Sequence, residues 1–141
     1  MKKWLQIIVW IGFAFYLTLL MYLLFFSNYR NSVKGIVDYN LIPFRTIVSY
    51  LIQFDSFSIF MFTDNFFGNI CAFIPLGLLT PLLFQTYRKY KKLIGLSLTL
   101  SMMVEISQFT TRLGSLDIDD VLLNTLGGVV GWGIWRIFFK R

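Results

Sequence analysis

Four apolar runs, separated by polar and charged connections, set the tightest limit on what this 141-residue chain can become. They cover roughly residues 4–26, 65–84, 93–110 and 120–139. A helix of about 20 apolar residues crosses the hydrocarbon core of a bilayer, so each run is long enough to span. Hydrophobic residues make up 57% of the chain and charged residues 14%. Ordinary soluble domains run closer to 45–50% and about 25%. Sixteen phenylalanines cannot all be hidden in the core of so small a water-soluble domain. The expected class is an all-α membrane protein, one domain over residues 1–141, with four transmembrane helices in a bundle.

The first run contains no charged residue but follows Lys2 and Lys3, as a signal peptide would. It is longer than a typical signal h-region, and no small-residue cleavage site ends it, so it is read as a retained span. The second run holds Pro75, Gly77 and Pro81. A proline removes one backbone donor and crowds the preceding turn, which predicts a kink near Cys71–Pro75.

Charge sets the expected orientation. Lys2 and Lys3, then Arg88, Lys89, Lys91 and Lys92, then Arg136, Lys140 and Arg141 fall on one side of a four-span chain. These nine of the thirteen basic residues share no segment with any of the seven acids. The positive-inside rule then puts both termini in the cytoplasm. Asp38, Asp55, Asp64 and the cluster Asp117–Asp120 would face outside. Basic residues scattered at span ends argue against a nucleic-acid partner.

Between the first two spans lies the longest connection. Thr46, Ser49, Gln53 and Ser56 recur on one helical face, with Ile47, Val48, Leu51 and Ile52 opposite. That period predicts an amphipathic helix, Phe44 to Phe62, lying in the outer interface.

Several chemistries are excluded by residue type. There is no histidine, which removes Ser-His-Asp and Cys-His catalysis and histidine-held zinc. The single cysteine, Cys71, allows neither an intrachain disulfide nor a thiolate metal site. What remains is a polar set at the junction of the last two spans. Glu105, Gln108 and Arg112 fall at helical steps of three and four, as do Asp117, Asp120 and Asn124. Asn65 and Asn69, four apart, enter from the same side on the second span. Polar groups inside spans are functional candidates by default. Asparagine and glutamine also pair across helices, so a purely architectural network is an alternative. The aspartates have an alternative of their own as helix caps and dipole partners. Asp119 lies off the stripe and is expected to matter less. Gly114 is expected to take the left-handed position that ends the third span. Gly127, Gly128, Gly131 and Gly133 are expected to pack helices closely. Trp4, Trp132 and Trp135 fit an interfacial belt.

Taken together, YNLIPF (Tyr39–Phe44), GNICAFIPLGLLTP (Gly68–Pro81), VEISQ (Val104–Gln108) and R-x-x-x-x-D-I-D-D-V-L-L-N-T-L-G-G-x-x-G (Arg112–Gly131) carry a family resemblance. In this order, and over about two-thirds of the chain, they resemble the VanZ-like family. The resemblance implies a small multi-span membrane protein of Gram-positive-type bacteria. It also implies an association with lowered susceptibility to teicoplanin and other lipoglycopeptides. It implies no catalytic residues.

Three functions are open at this point. An outward-facing polar pocket would engage a lipoglycopeptide or a lipid-linked cell-wall precursor, with Arg112 or Arg45 meeting its carboxylate or pyrophosphate. An outer-leaflet enzyme would act on a phosphate-containing lipid, with Glu105, Asp117, Asp119 and Asp120 holding a divalent cation and Asn124 assisting. No nucleophile motif supports that enzyme, and no other cofactor is expected. A small transporter would need an ionisable path to the inner face, and the inner halves of spans two and three offer none. Surrounding membrane lipids are partners on any of the three readings.

Overall fold

In the computed structural model, the described residues are 3–26, 35, 38–52 and 56–139, with the backbone alone described for 50, 51 and 56–64. Lys2, Lys140 and Arg141 of the orientation argument, and Gln53 and Asp55 of the outer connection, lie outside them. Among the described residues there are five α-helices: α1 (Lys3–Phe25), α2 (Arg45–Ile52), α3 (Ser56–Leu83), α4 (Tyr90–Thr110) and α5 (Ile118–Phe139). A 3-10 turn, Gln85–Arg88, joins α3 to α4. Two short strands, β1 (Tyr39–Asn40) and β2 (Leu116–Asp117), pair in parallel, with Tyr39 opposite Leu116 and Asn40 opposite Asp117.

Among the described residues, four stretches are long and apolar enough to cross a membrane: Lys3–Phe25, Asn65–Leu83, Tyr90–Thr110 and Ile118–Phe139. Of the expected interfacial helix, Phe44 to Phe62, the described residues show α2 over Arg45–Ile52; residues 53–55 lie outside them, and those from Ser56 onward belong to α3. No proline lies between Ser56 and Asn65, and helix propagation adds one hydrogen bond per residue, so the second span extends toward its amino end. The same helix continues through Pro75 and Pro81.

Burial is reversed relative to a water-soluble bundle. The buried positions of α4 are Leu93, Ser97, Ser101, Glu105 and Gln108, while Leu98, Met102, Met103 and Ile106 point outward. Phe15 of α1 is 69% exposed and Ile137 of α5 is 76% exposed. Apolar surface outside and polar groups inside is the arrangement lipid demands.

α3 and α5 form the closest helix pair. A β-carbon on Gly77 would fall 1.9 Å from the Gly128 carbonyl oxygen, and one on Gly131 2.0 Å from that of Ile74. The two backbones therefore touch, as small residues in lipid permit. Gly133 does not share this role, since nothing lies within 4 Å of its missing β-carbon. Antiparallel order follows from the contacts. Trp10 of α1 packs edge-on against Phe84 at the end of α3, with centroids 5.4 Å apart. At the opposite end the Gln108 amide donates to the Leu24 carbonyl at 2.8 Å. The start of α1, the α3–α4 junction and the end of α5 thus share a basic end. The Asp117–Asp120 turn marks the other, acidic end.

Candidate functional site at the acidic end

α4 ends at Thr110, so Arg112 is not on its helical face as the spacing predicted. Leu113 N–H donates to the Gln108 carbonyl at 2.8 Å, and Arg112 N–H to that of Phe109 at 3.1 Å. This is a Schellman closure, and its left-handed position is Arg112 itself, at φ 57°. Gly114, expected there, follows two residues later and is buried. The result turns the Arg112 side chain out, while Glu105 and Gln108 remain enclosed.

Asp117 then caps α5. Its Oδ1 accepts the Asp119 N–H at 2.9 Å, the bond an N-cap residue makes two positions ahead. The same carboxylate works in a second direction. Oδ1 also accepts from the Asn40 amide at 3.0 Å, and Oδ2 from the Thr46 hydroxyl at 2.6 Å. Glu105, 3% exposed, accepts the Asp117 N–H at 3.0 Å through Oε2. It faces the interior, and Oε2 meets backbone there, while Asn69 bonds Asp120 and Asn124 bonds Ser101.

Asp119 is the most enclosed of the three aspartates, at 0% exposure. Its Oδ1 accepts the Phe44 N–H, and its Oδ2 accepts those of Thr46 at 2.9 Å and Ile47 at 3.3 Å. Those amides open α2, so Asp119 caps a helix that lies more than 70 residues earlier in the chain. The carboxylate sits at the positive ends of two helices at once, α2 and its own α5. Spacing along α5 could not show this, because every partner comes from another segment. The signal that would have found it is the turn sequence Asn40–Phe44, which delivers an uncapped helix start. Phe44 sits there at φ 66°.

The remaining candidates are spread along the bundle. Asn69 donates to Asp120 at 2.6 Å across the α3–α5 interface. Asn65, half-buried, lies one turn earlier on α3. Asn124 reaches Ser101 at 2.8 Å, one turn deeper than Glu105. Gln108 is bonded to α1 and takes no part in the aspartate network. Backbone contacts complete the clamp: Gly35 N–H donates to the Arg112 carbonyl at 2.9 Å, and Leu116 N–H to that of Asp38 at 3.1 Å. Among the described residues, Glu105, Asp117, Asp119 and Asp120 do not gather into a metal-holding group. The Asp117 and Asp119 oxygens are occupied instead by amides and a hydroxyl.

The acidic end is therefore a latch: two aspartates of the α4–α5 turn hold the 38–47 segment across the ends of those helices. Comparison with known proteins bears on the whole architecture. The VanZ/LLP1 family profile matches residues 13–139. The chain is 32% identical over 123 residues to Protein VanZ of Enterococcus faecium, covering 77% of this chain and 76% of that protein. No solved structure matches it. With four membrane-length helices and a match over nearly its whole length, the chain is a multi-pass membrane protein and belongs to the VanZ/LLP1 family.

Proposed function

We propose that this chain lowers susceptibility to teicoplanin and other lipoglycopeptides, acting from the outer side of a bacterial plasma membrane. A polar pocket at the acidic end, roofed by the 38–52 segment, engages the antibiotic or a lipid-linked cell-wall precursor. The general reading rests on family membership and on the similarity to Protein VanZ.

One observation carries the mechanism. Asp117 and Asp119 are committed to internal donors, while Arg45 and Arg112 at the same end are exposed and meet no carboxylate among the described residues. A free guanidinium beside a membrane surface suits a carboxylate or pyrophosphate through paired hydrogen bonds. A metal-assisted hydrolase would need the aspartate oxygens uncommitted, so binding is the better supported reading. Two features favour the outward placement. The polar side of α2, Thr46 and Ser49, is turned inward and half-buried, while Val48 and Ile52 are exposed; lipid contact on that outer face accounts for the arrangement. The basic residues gather at the far end, which the positive-inside rule assigns to the cytoplasm with both termini.

The test is expression in a teicoplanin-sensitive host, with wild type, the double variant Arg45→Gln/Arg112→Gln and Glu105→Gln challenged by teicoplanin and by vancomycin. Wild type is expected to raise the teicoplanin inhibitory concentration several-fold. The double variant is expected to lose that protection at an unchanged membrane level. Full protection by the double variant would rule out the guanidinium mechanism, and no protection by wild type would rule out the general reading.

A further inference from the structure

At the basic end, opposite the latch, the start of α4, the 3-10 turn and the end of α5 enclose a cleft. Five basic side chains line it: Arg88, Lys89, Lys91, Lys92 and Arg136. No acidic residue occurs between Asn65 and Val104, or after Asp120, so no side chain of opposite sign comes from the elements that build it. Two of the cations are held in place by rings, which fix them without neutralising them. The Arg136 guanidinium stands 5.3 Å from the Trp132 ring centre, and that of Arg88 stands 5.9 Å from the Trp135 ring centre. Arg88 also donates through Nε to the Pro81 carbonyl at 3.2 Å, and Trp132 donates through Nε1 to the Arg88 carbonyl at 3.2 Å. Trp135 is 3% exposed, so it serves as a platform beneath Arg88 rather than as part of an exposed belt. α4 begins beside them, and its N-cap, Lys89, makes no side-chain capping bond.

The cleft does not close on itself. Through Tyr90, Trp132 and Arg136 it continues into an apolar crevice of about 290 Å³ between α4 and α5, lined further by Leu93, Ile94 and Val129. A soluble anion would satisfy the charges and leave that crevice unused. A zwitterionic lipid would fill the crevice but bring its own cation against five others. A molecule with an anionic head and an apolar chain matches both parts.

We propose that the α4–α5 crevice at the basic end is a binding site for an anionic glycerophospholipid. Its phosphate lies against Arg88, Arg136 and the three lysines, and one acyl chain runs along Ile94 and Val129. The phosphate also approaches the open amides at the start of α4, a position that favours anions. The site is independent of the latch and of the proposed antibiotic phenotype.

The chain carries its own reporter. A full-length variant keeping Trp132 and Trp135, with Trp4 and Trp10 replaced by Phe, is reconstituted in phosphatidylcholine vesicles. Its fluorescence is followed as brominated phosphatidylglycerol or brominated phosphatidylcholine is added at equal mole fraction. Half-maximal quenching is expected at a mole fraction at least three-fold lower for the anionic lipid. Adding Lys91→Gln and Arg136→Gln should shift that curve onto the phosphatidylcholine one. Identical curves for the two lipids would overturn the proposal. Loss of the preference on adding millimolar inorganic phosphate would overturn it too, by assigning the cleft to a soluble anion. If the Trp4→Phe/Trp10→Phe variant does not fold, native mass spectrometry of the unmodified chain decides. Phosphatidylglycerol retained over phosphatidylcholine, and lost in Arg136→Gln, supports the site; equal retention refutes it.

Discussion

Replacing Asp119 by Asn tests whether the acidic turn is held together by charge. The wild-type carboxylate serves three amides with two acceptor oxygens, Phe44 on one side and Thr46 with Ile47 on the other. Asparagine has a single acceptor oxygen. Whichever way its amide is turned, Nδ2 faces at least one backbone N–H that has lost its acceptor. A hydrogen bond to a charged group contributes about 1.5–3 kcal/mol, and an amide left buried without a partner costs about 1–3 kcal/mol. With partial relaxation the expected cost of seating the 38–47 segment is about 2–4 kcal/mol. At 1.36 kcal/mol per factor of ten, that is a roughly 30- to 900-fold rise in local opening. Hydrogen exchange in nanodiscs reads it directly: the Phe44–Ile47 amides should lose protection by that factor, while Ser97–Glu105 in α4 should not change. Asp117→Asn is the internal control. There Oδ1 can keep both the Asp119 N–H and the Asn40 amide, while Nδ2 donates to a reoriented Thr46 hydroxyl, so the change should be under about 1 kcal/mol. Equal protection of Phe44–Ile47 in wild type and Asp119→Asn would refute the latch. If Asp117→Asn abolishes resistance with exchange unchanged, its charge serves the ligand rather than the fold.

Three further outcomes are expected. Gly131→Ala places a carbon 2.0 Å from the Ile74 carbonyl oxygen and should destabilise the α3–α5 pair by about 1–3 kcal/mol or more, whereas Gly133→Ala meets open space and should be neutral or stabilising; detergent-denaturation midpoints that move alike would refute the close packing. Arg112→Gly relieves a left-handed position that costs an L-residue about 1–2 kcal/mol, so the thermal midpoint should rise by a few degrees while resistance is lost; retained resistance would remove Arg112 from the site. A cysteine at Ser115 in a Cys71→Ser background should react with an impermeant thiol reagent on intact cells and one at Thr86 should not; the reverse pattern would invert the orientation.

What was legible in the sequence was the part written in local periodicity. Run length marked the four membrane-length helices, and Gly127, Gly128 and Gly131 of the last span anticipated a close helix contact, though not its partner. Glu105 and Gln108 were correctly given one face of α4, because a helix carries both. Arg112 was not, since a closing turn two residues long moved it off that face. Nor could spacing decide what the aspartates do. A capping residue ordinarily serves its own helix, and Asp117 does, but Asp119 serves α2, whose sequence lies far upstream. The polar repeat carried the expected interfacial helix to Phe62, but from Ser56 onward the chain belongs to α3, continuous with the apolar run behind it. Contacts between distant segments leave no periodic trace in either partner.

The latch also sets an order of assembly. Residues 38–47 leave the ribosome some seventy residues ahead of the carboxylates that hold them, so their amides must wait, solvated, until the last two helices have been inserted. Seating the segment is then a late, long-range step, of the kind whose loop-closure cost delays it relative to local helix formation. A chain cut before Asp117 would still contain three of the four spans but would leave the start of α2 without acceptors. Exposed backbone donors of that sort distinguish an unfinished copy from a finished one, and they do so on the face of the protein farthest from the basic end.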